Sequence, residues 1–213
     1  MTGSSNIYLA AVDRVARRVQ SWSAAEAATA IPSCPQWSAH DLVAHLAGGA
    51  ADHAAGRLDG FPGPGWTNRH IAERSSRPTQ EVLAELLALA PRTAAACDQR
   101  SAGPNSSWDA YIHERDLAEA FDGEVRTLDE DGCHLLGQFM AFLGAGAPYE
   151  TSCVRSGDTV EFTVLDRQRY RTTVPAATAF RAVSGRTEPA DIESWPWVPT
   201  APPPPVLQSL QLF

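Results

Sequence analysis

The chain has 213 residues, 44% of them hydrophobic and 20% charged, which suits an ordinary globular protein with room for a sizeable core. Its net charge is -8, and all 17 basic residues are Arg, dispersed among acids with no stripe that could follow a phosphate backbone, so nucleic acid is excluded as an expected partner. No apolar run approaches the ~20 residues that span a bilayer, and "MTGSSNIYLAAVDRVARR" lacks the basic head and apolar run of a secretory signal. A cytoplasmic, non-membrane protein is the expectation, with the scattered Cys34, Cys97, Cys133 and Cys153 as reduced thiols. Abundant Ala, with Arg wholly replacing Lys, points to a GC-rich genome.

In chain order, "NIYLAAVDRVARRVQSW" places Ile7, Leu9, Ala10, Val12, Val15 and Val19 so as to predict an amphipathic helix ending near Trp22. The prolines of "IPSCPQWS" predict a loop. Ser38, with Asp41 three positions on, reads as a capping-box start for "AHDLVAHLAGGAADHAAG", which ends near Gly56 or Gly60. Within it, Ala47, Gly48 and Gly49 leave space for another helix or a bulky ligand. The stretch from "GFPGPGW" to Arg77 reads as irregular. Pro78 then opens a third long helix, with Val82, Leu86, Leu87 and Leu89 turned inward.

The fourth helix, "WDAYIHERDLAEAF", stops at Asp122–Gly123 and carries a polar stripe where hydrocarbon is expected. At about 100° per residue, Asp109, His113 and Asp116 fall among Ala110, Ile112, Leu117, Ala120 and Phe121. Glu114, Arg115 and Glu119 take the opposite side. An acid four residues before a His stacks on one face and can share a divalent cation with it. A buried ion pair, or an Asp facing solvent at the helix start, are equal readings of this helix alone. If the His45 helix is a neighbour, His45 completes a His–Asp–His set, and three protein ligands with an open position form a catalytic type of zinc site. A fifth helix follows, with Leu135, Leu136, Phe139, Met140 and Leu143 apolar. Near Pro148 the texture changes: "TVEFTVLD" and "RYRTTVPA" alternate as a strand pair. "ATAFRAVSGR" and "EPADIESW" read as short helices, and "WPWVPTAPPPPV" as an extended tail. The fold expected is α+β: a helical bundle over 1–147 and a small mixed α/β domain over 148–213.

"IPSCPQWSAHDLVAHLAGG" resembles the signature of the mycothiol-dependent maleylpyruvate isomerase family, a branch of the DinB-like metal-binding four-helix bundles. "DAYIHERDLAEAF" resembles that family's second metal segment, and "AFRAVSGRTEPADIESWPW" its closing segment. The resemblance implies His45, Asp109 and His113 as metal ligands acting in catalysis through the ion, zinc as that ion, and Asp116 as an outer partner. It also implies mycothiol as cosubstrate or cofactor, with isomerase or S-transferase chemistry on a small electrophile of the maleylpyruvate kind. Arg186, in the "SGR" turn, is the candidate carboxylate clamp, and Trp37 and Trp66 are candidate cleft walls. Two departures stand out: Asp109 where the family usually has Glu, and Gln36 where it usually has Gly. They keep two alternatives open, a biosynthetic enzyme of this fold that has lost the thiol and a non-catalytic small-molecule binder. Monomer and homodimer are both compatible. Cys34 has no evident base and reads as a packed side chain, while His40, His53, His70 and His134 read as ordinary polar residues.

Overall fold

The computed structural model describes residues 3–61, 63–99, 105–123, 125–146, 150–166, 168–208 and 210. They divide into two compact units, Met1–Val125 and Arg126–Phe213.

The first unit is built on four long helices: α1 (Ser4–Val19), α3 (Ala39–Ala55), α5 (Thr79–Gln99) and α6 (Ser106–Asp122). Three small elements join them: α2 (Ala24–Ala27), the hairpin β1 (Ala30–Ile31) and β2 (Cys34–Ser38), and α4 (Pro64–Ala72). α1 packs on α5 and α6, α3 on α5 and α6, and α4 on α3. The core comes from apolar residues at helical spacing, among them Tyr8, Ala11, Val12, Val15 and Val19 of α1 with Leu42, Val43 and Leu46 of α3 and Val82, Leu83 and Leu86 of α5. Leu9 is exposed, and Tyr8 and Ala11 take the inward positions expected for Leu9 and Ala10. The i, i+4 ladder that runs continuously to Val19 is Ile7, Ala11, Val15 and Val19, with Tyr8 and Val12 beside it.

Boundary chemistry fixes where α3 and α6 begin and end. Ser38 Oγ accepts from the Asp41 amide, while the Asp41 carboxylate accepts from the Ser38 amide, so the capping box forms. α3 closes on Gly56 and α6 on Gly123, both left-handed at φ 73° and 70°. The segment read as a loop, 31–38, instead pairs as a short hairpin, and the stretch read as irregular contains α4.

In the second unit, α7 (Glu130–Gly146) packs on β3 (Glu150–Ser156) and α8 (Ala176–Val183). β3, β4 (Thr159–Leu165) and β5 (Arg169–Pro175) form an antiparallel sheet in that order. Val160, Phe162 and Val164 are buried on β4 and Tyr170 on β5, the period-2 burial of a one-sided sheet. α9 (Pro189–Glu193) and α10 (Pro204–Gln208) follow, and Val198 bridges to Arg171 through backbone bonds of 2.8 and 3.0 Å. The α+β assignment holds. α7, which the sequence reading placed in the 1–147 bundle, is grouped with the sheet, with Leu135, Leu136, Phe139 and Met140 buried and the Phe139 and Phe180 rings 5.4 Å apart. The side chain of Leu143 lies outside the described residues.

Candidate metal centre

α3 and α6 bring three of the sequence-derived candidates to one point. His45 Nε2 lies 3.1 Å from Asp109 Oδ1, and His113 Nε2 lies 3.4 Å from the same oxygen. Donor atoms of His45, Asp109 and His113 all fall within 4.8 Å of one another. Zinc bonds of about 2.0–2.1 Å set donors about 3.4 Å apart in a tetrahedral site, so the spacing suits a single ion of that size. Both imidazoles are shut in, with His45 3% and His113 5% exposed, whereas the Asp109 side chain is 29% exposed.

The charges fit the same purpose. Burial alone would raise the Asp109 carboxyl, but the facing imidazoles of His45 and His113 hold it well below the usual carboxylate range. Burial would lower His113, yet hydrogen bonds to Asp109, Asp116 and Cys34 carry it well above the usual imidazole value. The set therefore holds an ionised carboxylate facing two imidazoles, and a cation entering it would take the place of the proton that His113 carries.

Asp116 stands behind His113. Its Oδ2 lies 2.9 Å from His113 Nδ1, and its carboxylate also accepts from Ser33 Oγ at 2.7 Å and Cys34 Sγ at 3.9 Å. A carboxylate on Nδ1 keeps a proton there, so the proton that a cation would displace from His113 is the one on Nε2. The hairpin tip, through Ser33 and Cys34, thus anchors the helix that carries two of the three donors. Cys34, His113 and Asp116 likewise bring one donor atom each within 4.8 Å of one another.

Aromatic rings enclose the set. Trp37, on β2, lies 5.1 Å from the His45 ring and 5.5 Å from the His113 ring. Trp66, on α4, lies 5.8 Å from His45 and 4.1 Å from His70, and it is 4% exposed. Arg186 belongs to the second unit, where Nη1 donates to the Ser184 carbonyl at 2.5 Å. The sequence reading also put Glu114 toward solvent, but it is 5% exposed and pairs with Arg14 Nε at 3.2 Å. α1 covers the face of α6 that the helix pattern assigned to water.

His70 is the residue that sequence reasoning missed. It is fully buried, with Nε2 2.9 Å from Asp52 Oδ2 and Nδ1 3.4 Å from His45 Nδ1. Asp52 is buried too and accepts from Arg69 Nη2 at 2.5 Å and Arg57 Nε at 3.0 Å. Burial raises the Asp52 carboxyl, but hydrogen bonds from Arg69 and His70 outweigh it and bring it to about 2. Burial moves His70 the other way, below its usual value despite Asp52, so it is neutral at pH 7. The legible signal was the Gly48–Gly49 pair. A Cβ at Gly48 would fall on the His70 ring, whereas one at Gly49 would meet Trp66 Cη2 at an ordinary 3.4 Å. Gly48→Ala is expected to cost about 1–3 kcal/mol by overpacking. Gly49→Ala, with ~1 kcal/mol of helix propensity in its favour, should be neutral or stabilising. Urea unfolding of the two variants reads the contrast directly.

The family model described as the mycothiol maleylpyruvate isomerase N-terminal domain matches residues 8–121, more than half of the chain. The chain belongs to this family. The matched span begins in α1, ends in α6 and includes His45, Asp109 and His113, so the whole donor set lies within the mycothiol maleylpyruvate isomerase N-terminal domain. No curated protein and no solved structure matches the chain. No helix among the described residues is long and apolar enough to cross a membrane.

Proposed function

We propose that the chain is a metal-dependent, mycothiol-using isomerase or S-transferase acting on a small electrophile of the maleylpyruvate kind. The observation that carries the reading is the convergence of His45, Asp109 and His113 on one ion-sized point, inside the domain characteristic of a mycothiol family. A divalent cation, with zinc favoured by the two imidazoles and one carboxylate, would work with the family's thiol to supply a thiolate at neutral pH, where a free thiol near pKa ~8.5 is mostly protonated.

The chain's own residues account for the rest. His45 and His113 offer Nε2 lone pairs, and Asp116 fixes His113 in the required tautomer. Asp109 offsets part of the cation's charge, leaving a residual positive field toward an anionic sulfur or a carboxylated substrate. Trp37 and Trp66 present apolar walls around the imidazoles and keep water sparse, which strengthens every charge interaction inside.

Metal analysis of purified protein, joined to turnover of a maleyl-type compound with and without thiol, tests the reading. One equivalent of zinc and strictly thiol-dependent turnover is the expected result. Stoichiometric zinc with no effect of thiol would move the chain to a thiol-free enzyme or a binding module of the same fold.

A further inference from the structure

Behind His45 stands a second buried imidazole, and the order of atoms there is specific. Asp52 Oδ2 meets His70 Nε2, and His70 Nδ1 meets His45 Nδ1, on the edge of His45 opposite the one that faces Asp109. We propose that His70 and Asp52 are positioning residues for the metal centre, a histidine–carboxylate relay that holds His45 with its proton on Nδ1 and its Nε2 lone pair free for a cation. The inference rests on the metal-ligand reading of His45 and adds residues that lie outside the donor set.

Hydrogen-bond direction carries the argument. Asp52 receives guanidinium N–H groups from Arg57 and Arg69, and both of those partners are permanent donors, so it stays an acceptor toward His70. His70 must then place its N–H on Nε2, which leaves Nδ1 as a lone pair. The nitrogen opposite that lone pair is His45 Nδ1, and the contact is a hydrogen bond only if His45 donates. Once His45 donates from Nδ1, its Nε2 is the nitrogen left to a metal. His45 Nε2 also lies 3.1 Å from the Asp109 carboxylate, where without a metal it donates; a cation entering there takes that proton's place, and the relay then holds the remaining proton of His45 on Nδ1. Its burial is complete, at 0% exposure for His70 and 1% for Asp52, so water is not there to substitute for a missing partner. Gly48 is part of the device, because only a residue without a Cβ admits the His70 ring at this position. The two ligand imidazoles are therefore oriented differently: His113 by a carboxylate directly, His45 by a carboxylate acting through an intervening ring.

The test is zinc affinity by chelator competition on the full chain, with folding followed by circular dichroism. Asp52→Asn and His70→Phe are compared with His70→Asn, whose side-chain oxygen can occupy the place of Nδ1 as an acceptor. Asp52→Asn and His70→Phe should weaken zinc by about 10–100-fold, the usual effect of losing an outer partner. His70→Asn should stay within about threefold of the wild type, since the acceptor for His45 is kept. A packing role predicts the reverse order, because Phe fills the ring's volume and Asn leaves a void. Equal affinity in all the variants, or His70→Asn weaker than His70→Phe, overturns the relay and leaves the ligand assignment standing. A wild-type chain that takes up no zinc overturns the ligand assignment, and the relay with it.

Discussion

His113→Ala is expected to lower zinc affinity by more than about a hundredfold, beyond the ~10–100-fold that outer partners contribute. His113 faces both Asp109 and Asp116, so its loss removes one nitrogen donor and the group that stands between two carboxylates of α6. Asp116→Asn acts one step further out and should fall within the outer-partner range, because the Nε2 donor survives with a less certain tautomer. Asp109→Glu, which restores the acid usual in the family, should retain zinc, while Asp109→Asn should lose most of it with the charge. Inductively coupled plasma analysis after dialysis against a mild chelator ranks the four variants. Zinc retained at wild-type stoichiometry in His113→Ala would remove α6 from the donor set.

The largest expected loss of stability is at Asp52. Asp52→Ala is expected to destabilise the chain by about 3–5 kcal/mol, the usual cost of removing one partner from a buried charged cluster. The substitution leaves the buried His70 Nε2 without its carboxylate and takes from Arg69 the closer of its two carboxylate partners, Glu73 remaining. The wild-type carboxyl sits at about 2 when folded, against an ordinary 3.8, so its contribution is fully present above pH ~4. That contribution drains away as the pH falls toward 2, because the unfolded chain takes up the proton first. Urea unfolding between pH 5 and pH ~2.5 should therefore show a fall in stability for the wild type that is shallower in Asp52→Ala.

Much of this was open to a reader of the sequence, for identifiable reasons. The Asp109–His113–Asp116 stripe betrayed itself because polar residues stood at a helical period among apolar ones. The capping box at Ser38 and the glycine at 56 marked α3 at both ends. What escaped was non-local. α4 is short, begins among glycines and prolines, and has no apolar period strong enough to distinguish it from loop. Its two inward residues, Trp66 and His70, acquire meaning only once they are set against the glycines of α3. Nothing local marked Asp52, because its partners Arg69 and His70 lie 17 and 18 residues away in an element that was not anticipated. Likewise, the apolar face of α7 carried no information about whether it would join the earlier helices or the sheet.

The unequal exposure of the three donors sets an order of events for a cation. Of the trio, only the carboxylate reaches solvent, while both rings are sealed by tryptophan. An ion arriving from water would be caught first by Asp109 and would trade its hydration shell for nitrogen only afterwards. On the way out the carboxylate would let go last, so a chelator competing for the ion would work from that side. The kinetics of loading and stripping would then follow the rotation of a single short side chain, and the extra methylene of a glutamate there would change the speed of exchange more than its equilibrium.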